Sequence, residues 1–364
     1  MMSHQHPSIA CVVGARPNFM KVAPIWAEAA NRNLWFTRLI HTGQHFSPEM
    51  SQKFFDELGL PEPDINLGVC GGTPITQIAE IMLRLEAAFT KDRPDVVLVV
   101  GDVTSTLAAA LVASKMGIRL AHVEAGLRSS DRTMPEEINR IVTDSLSDFL
   151  FVSESSGTAN LLTEGVAAGR IFFVGNVMID TLLQFREKAA ASDIIERLGL
   201  TPRGYAVATL HRPSNVDDPD RLRRLHEVLL DVADMLPVVF PVHPRTRARL
   251  GPMLESKPSL LLIEPLGYLD FLRLMAESRL MLTDSGGIQE ETTILQVPCL
   301  TLRENTERPI TIEQGTNRLV GVEPAAILTA VRETLENAPR PAMIPELWDG
   351  HASSRILDVL AHRL

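Results

Sequence analysis

Short apolar runs alternate with longer amphipathic segments from one end of the chain to the other. The runs at 9–13, 35–40, 96–100, 119–123, 149–152 and 171–174 predict buried strands, because Val, Ile, Leu and Phe dominate them. After an interval a second series occupies 206–210, 238–242, 260–263, 280–283, 299–302 and 318–320. The intervening segments carry helix signals. Thr73-Pro74 offers an N-cap with proline at the first helical position, and Ile75, Ile78, Ala79, Met82 and Leu85 then fall on one face. The segment from Leu107 to Met116 ends at Gly117, a helix-terminating glycine.

Alternation of strand and helix predicts parallel sheets with right-handed crossovers and helices on both faces. Two series of six strands predict two doubly wound domains rather than one large sheet. The break is expected near Gly175-Asn-Val-Met-Ile-Asp180, followed by a helical linker up to Gly204. That gives an N-terminal domain over 1–178 and a C-terminal domain over 179–349. Residues 350–364 read as a final amphipathic helix, with Ile356, Val359 and Leu360 on one side, packing on either domain.

Composition narrows the class. The chain has 364 residues, 45% apolar and 22% charged, as expected of a globular protein. Its net charge of −10 is spread in mixed sign, which argues against nonspecific binding to nucleic acid or an anionic membrane. A phosphate ligand would therefore need a local cradle. Cys11, Cys70 and Cys299 fit neither a metal spacing nor a disulfide framework, so a reducing cytoplasm is expected. The start Met-Met-Ser-His-Gln-His shows no signal pattern, and no apolar stretch is long enough to span a bilayer.

In open α/β sheets ligands bind beyond the carboxyl ends of the strands, so two such sheets predict a site in the cleft between domains. The first strand is followed by a glycine turn carrying Arg16 and Lys21, which reads either as a phosphate site or as a solvated surface turn. It lacks the second and third glycines of the dinucleotide fingerprint, which argues against NAD or FAD. In the second half, Ser285-Gly286-Gly287 lets backbone amides approach an anion at a helix start. Glu291, about a turn further in, can accept two hydrogen bonds from ribose hydroxyls. A tight turn with a helix-stabilising acid is the plainer alternative. Together the two features suggest a nucleoside diphosphate. His211 and His243 each follow a strand and are equally readable as surface or core residues. His41 and His45 stand four apart, but Gly43 lies between them and zinc is not expected.

The acids are oddly placed. Asp102 follows the run 96–100, Glu124 follows 119–123, and Glu136 and Glu137 stand behind Pro135. Singly, each reads as a helix cap or a dipole partner. Clustered at one sheet edge, they would repel and keep at least one carboxyl protonated near neutral pH. Such a set suits proton transfer at a C–H or O–H bond of a sugar.

The stretches "GARPNFMKVAPI", "HTGQHF", "GDVTSTLAAALVA", "HVEAGLRS", "PEEINR", "VGNVMIDTL", "HRPSNVD", "DSGGIQEE" and "ERPITIEQGTNRLVG" occur in order from about residue 9 to 321. In these the chain resembles the non-hydrolysing UDP-N-acetylglucosamine 2-epimerases. The resemblance implies an α/β, glycosyltransferase-B-type fold: two Rossmann-like doubly wound domains facing across a cleft, in a homodimer. It implies anti elimination of UDP to 2-acetamidoglucal and re-addition with inverted C2, without a cofactor. It places acid/base groups at Asp102, Glu124, Glu136 and His211. Substrate binding falls to Arg16, Lys21, His243, Phe271 against uracil, Ser285, Gly286 and Gly287 on the diphosphate, and Glu291 on ribose.

Some relatives are activated by their substrate at a second site. Gln44 and His243 match it, but Ser47 replaces a glutamine, 68–72 holds no arginine and Pro213 stands where an arginine would be. Weak or absent activation is expected. Three readings stay open beside the main one. They are a hydrolysing epimerase releasing free N-acetylmannosamine, a 2-epimerase of a UDP-2,3-diacetamido uronic sugar, and a glycosyltransferase of the same architecture.

Overall fold

A computed structural model describes residues 6–43, 55, 57–251, 257–338 and 342–364. The chain forms two compact units, one of residues 1–181 with 346–364 and one of 182–345.

The first unit is built on a seven-stranded sheet: β1 (Ser8–Val13), β2 (Phe36–His41), β3 (Ile65–Asn66), β4 (Val96–Val100), β5 (Arg119–Ala125), β6 (Phe149–Val152) and β7 (Ile171–Phe173). Their order is β3-β2-β1-β4-β5-β6-β7, and every pair is parallel. The order reverses between β1 and β4, the switch point at which ligands gather in such sheets. Six strands lie where the apolar runs place them. The two-residue edge strand β3 is additional, and Ile65-Asn66 is too short to give a periodic signal.

The helix Pro74–Lys91 starts as expected: the Thr73 side chain accepts from the Thr76 amide. It buries Ile81, Leu85 and Phe89 against a core that includes Val97 and Val99. Burying each such side chain stabilises by about 1.5–3 kcal/mol. The helix Thr104–Lys115 is alanine-rich along its buried face, so its backbone sits close to the sheet, and it ends before Gly117 at φ 63°.

The second unit has six parallel strands: β8 (Ala206–Thr209), β9 (Val238–Pro241), β10 (Leu260–Ile263), β11 (Leu280–Thr283), β12 (Cys299–Thr301) and β13 (Asn317–Leu319). Their order is β10-β9-β8-β11-β12-β13, with the switch point between β8 and β11. The helix Pro219–Ala233 is capped by Asp218, whose carboxylate accepts from the amides of Asp220 and Arg221. Its Leu222, Leu225, Leu229 and Val232 pack with Val238, Phe240, Leu280 and Leu282.

The terminal helix Ala352–Arg363 belongs to the first unit. Asp180 accepts hydrogen bonds from the amides of Ala352 and Ser353 and from the Ser353 hydroxyl, fixing the start of that helix. The Trp348 indole donates to the Ser153 carbonyl at 2.8 Å, and Arg32 pairs with Asp358 at 2.6 Å. The chain therefore crosses between units at 181/182 and 345/346, a few residues from 178/179 and 349/350. Among the described residues no helix is long and apolar enough to cross a membrane.

Candidate active site

At the end of β1 the chain turns at Gly14. A Cβ there would meet the Ser105 hydroxyl at 2.0 Å and that of Thr42 at 2.6 Å, so only glycine fits. Asn18 then ties this turn to the next strand. Its Oδ1 accepts from the amides of Gly14 and Ala15 at 3.1 Å, while its Nδ2 donates to the Val100 carbonyl at the end of β4. Arg16 opens the helix Arg16–Arg32, but its side chain lies outside what is described. Lys21, one turn on, is buried and donates from Nζ to Glu124 Oε2.

Glu124 holds φ 73°, the left-handed region that non-glycine residues rarely enter, at a register shift in β5. The irregularity re-aims the side chain, as bulges beside active sites commonly do. Gly101 lies against the Lys21–Glu124 pair: a Cβ there would meet Lys21 Nζ at 3.0 Å and Glu124 Oε2 at 3.3 Å. Its carbonyl oxygen is 2.8 Å from Nε2 of buried His122, whose Nδ1 lies 2.6 Å from Asp144. Burial raises the Asp144 carboxyl, but the charges and hydrogen bonds of His122 and Arg128 outweigh it and leave it below the usual range.

Asp102 follows Gly101 and does not cap the helix behind it, whose N-cap is Val103 with no side-chain bond. Instead Arg140 reaches Asp102 Oδ2 at 2.7 Å and Glu137 Oε2 at 2.6 Å, and Asn139 donates to the Asp102 carbonyl at 2.8 Å. Glu137 also accepts from the amides of Ser129 and Ser130 and the Ser129 hydroxyl. Burial alone would raise it; these donors and Arg140 hold it below its ordinary value. Glu136 is half-buried in the first turn of the helix Pro135–Leu146 and makes no ion pair with a described residue. Mutual repulsion of bare acids is therefore not what organises this edge. Lys21 and Arg140 stand against them as counter-charges.

In the second unit Asp284 directly follows β11 and is fully buried. It accepts from the backbone amides of His211 and Arg212 and from Asn215 Nδ2, and it pairs with His211 Nδ1 at 2.8 Å. Burial raises its carboxyl, and the His211 charge and these donors bring it below the usual range. One carboxylate thus joins the "HRPSN" turn to the "DSGG" turn, with the His211 side chain half exposed.

Ser285 is the N-cap of the helix Gly286–Leu295. A Cβ on Gly286 would meet Arg308 Nη1 at 2.5 Å, so the guanidinium lies directly against this helix start. Arg308 pairs with Glu290 at 2.6 Å, and Arg303 pairs with Glu307 at 2.8 Å. Glu291 is buried deeper in the helix and accepts from the Tyr268 hydroxyl at 3.1 Å. Phe271 is half-buried in the helix Tyr268–Ala276, Gly287 is half-buried, and His243 is exposed. Gln44 and Ser47 lie outside the described residues.

The structure brings Lys21, Asp102 and Glu124 together in one unit, and His211 and the Ser285–Gly287 turn together in the other. The sequence reading assigned no role to Asn18, His122, Arg140, Tyr268, Asp284 or Arg308. Asp284 carried a usable signal, because it follows its strand as Asp102 follows β4. Arg140 carried one too, as the cation three residues beyond Glu137 on the same helix. Among the described residues no group of His, Cys, Asp and Glu is placed to hold a metal.

The family model described as UDP-N-acetylglucosamine 2-epimerase matches residues 28–361. The UDP-N-acetylglucosamine 2-epimerase of Methanocaldococcus jannaschii is 41% identical over 97% of this chain and 99% of its own. The UDP-2,3-diacetamido-2,3-dideoxy-D-glucuronate 2-epimerase of Pseudomonas aeruginosa is also 41% identical, over 97% and 99%. A crystal structure of the M. jannaschii UDP-GlcNAc 2-epimerase in complex with UDP-GlcNAc and UDP superposes with a TM-score of 0.92, covering 98% of this chain and 99% of that one. The fold is of the glycosyltransferase-B type, with two Rossmann-like domains.

Proposed function

Because the chain belongs to the UDP-N-acetylglucosamine 2-epimerase family, we propose that it is an isomerase that interconverts UDP-N-acetylglucosamine and UDP-N-acetylmannosamine without releasing free sugar. A carboxylate of the first unit removes the C2 proton. The C1–O bond breaks and its electron pair leaves with the UDP oxygen, while C1=C2 forms. UDP then adds back to C1, and a proton is delivered to the opposite face of C2. An α-proton beside an acetamido group is weakly acidic, so stabilising departing UDP carries much of the rate. The glycine turn at Ser285–Gly287 and Arg308 beside it suit that role.

The observation that carries this reading is Glu124. It is buried, bulged into a left-handed conformation and in contact with Lys21, beside the Gly101-Asp102 turn. A capping acid needs none of that. Asp102, Glu124, Glu136 and His211 are the proposed acid/base groups. Arg16, Lys21, His243, Phe271, Ser285, Gly286, Gly287 and Glu291 are the proposed binding residues. The protein is proposed to act as a cytoplasmic homodimer. Support for a partner comes from the helix Pro74–Lys91, where Ile75 is 79% and Leu83 62% exposed.

Incubation with UDP-N-acetylglucosamine in deuterated water tests the proposal by NMR. Deuterium at C2 and a mixture of UDP-linked gluco and manno sugars is expected. Free N-acetylmannosamine would show a hydrolysing enzyme instead. A UDP-2,3-diacetamido uronic sugar is the second substrate to try, since the P. aeruginosa relative is equally similar. A higher kcat/KM on it would transfer the assignment.

A further inference from the structure

Glu291 and Tyr268 form a buried pair, each 3% exposed, joined by the hydrogen bond from the Tyr268 hydroxyl to Glu291 Oε1. No Lys, Arg or His among the described residues lies within ion-pair distance of Glu291. Its neighbour Glu290 takes Arg308. At the end of β11, Asp284 is engaged by His211 and backbone amides. On β12, Cys299 is a buried thiol pushed up to about 12, and on β13 Arg318 is turned out to Glu333. Before the short helix Ile310–Glu313, Glu307 is held by Arg303.

We propose that Tyr268 is a positioning residue that aims the Glu291 carboxyl at the ribose of a nucleoside diphosphate, and that capture of the nucleotide expels a proton from Glu291. This rests on the reading of Glu291 as the ribose acceptor. A buried carboxylate persists only when enough donors face it. Tyr268 supplies one. The ribose 2′- and 3′-hydroxyls supply two more, so ligand binding favours the ionised form. Tyr268 cannot yield its own proton, because burial and Glu291 hold its phenol well above its ordinary value. In the free protein burial raises the Glu291 carboxyl to about 8, despite the Tyr268 hydrogen bond, with Glu290 adding to the rise.

The sign follows. Below pH 8 free Glu291 is mostly protonated and binding releases a proton. UDP affinity should therefore rise about eightfold from pH 7 to pH 8.5.

Calorimetry of UDP binding to the full chain tests this, in buffers of differing ionisation enthalpy between pH 7 and 8.5, below the range in which the uracil N3–H of UDP ionises. The UDP phosphate, with a second pKa of about 6, is already ionised there. Wild type should release about nine-tenths of a proton at pH 7 and about a quarter of one at pH 8.5. Glu291→Gln should bind UDP with no proton release and no pH dependence. Tyr268→Phe loses a hydrogen bond that favours the carboxylate, so its rise in affinity should move to higher pH. A Tyr268→Phe profile identical to wild type would leave the tyrosine a packing residue and overturn the proposal. So would wild-type binding of UDP without proton exchange, though the nucleotide site would then stand. Failure of wild type to bind UDP at any pH would remove the nucleotide reading itself.

Discussion

Glu124 in the first unit and Glu291 in the second are both buried glutamates, 6% and 3% exposed, yet their surroundings are opposite. Glu124 rests against the ammonium of Lys21, and its backbone is bent into a left-handed conformation to put it there. Glu291 sits in a regular helix with a phenol for its hydrogen-bond partner and another acid beside it in the chain. The first unit matches its acids with cations, through Lys21 and the Arg140 fork between Asp102 and Glu137. The second keeps its arginines, 212, 303 and 308, around Glu307 and Glu290. A charge-matched carboxylate is held in place by its cation. An unmatched one is free to change state when a ligand arrives. The contrast suits a division of labour in which one unit handles the proton of the sugar and the other senses the nucleotide.

Removing the Arg140 fork should break this contrast most severely. Arg140→Ala leaves Glu137, 1% exposed, without its counter-charge. Losing one partner of a buried pair costs about 3–5 kcal/mol, read as a lower midpoint in urea unfolding at pH 7. The folded Glu137 carboxyl lies below its ordinary 4.5, so its contribution is present above that value and lost as pH falls. The deficit of Arg140→Ala should therefore shrink in acid. A deficit as large at pH 3 as at pH 7 would assign it to lost packing. Next in size is Asp102→Asn, expected to lower turnover by at least about two orders of magnitude while UDP affinity and folding are kept. A near-normal rate would leave Asp102 as no more than a partner for Arg140.

Much of the fold was legible because each strand is a short apolar run between helix signals, and alternation of that kind permits few topologies. Asp102 and Glu124 could be placed at sheet ends on the same ground. What lay hidden was pairing across distance. Nothing near Glu124 in the chain announces Lys21, 103 residues away, and nothing beside Glu291 announces Tyr268. Crowding of acids was expected to raise a carboxyl at the first unit's edge. The carboxyl pushed up to about 8 is instead Glu291, by burial, in the other unit. Glu136 and Glu137 show the same limit. Adjacent residues at a helix start look equivalent in sequence, yet helical geometry turns Glu137 inward to Ser129 and Arg140 and leaves its neighbour half-buried, with no ion pair to a described residue.

The last expected effect runs in the opposite direction to the others. Glu291→Gln should stabilise the ligand-free protein, and only at higher pH. An unfolded glutamate titrates near 4.5 and the folded Glu291 near 8, so between those values the folded chain binds more protons than the unfolded one. Stability then falls as pH rises through that window and is level above it. Glutamine imitates the protonated acid, keeps an acceptor for Tyr268 and has no charge to bury. Melting curves of wild type and variant should coincide at pH 4 and separate by about 10 °C at pH 9, with the variant higher. If the variant is instead less stable at pH 9, the Glu291 carboxylate must be stabilised in the free protein, and the two units would not differ in the way Glu124 and Glu291 suggest.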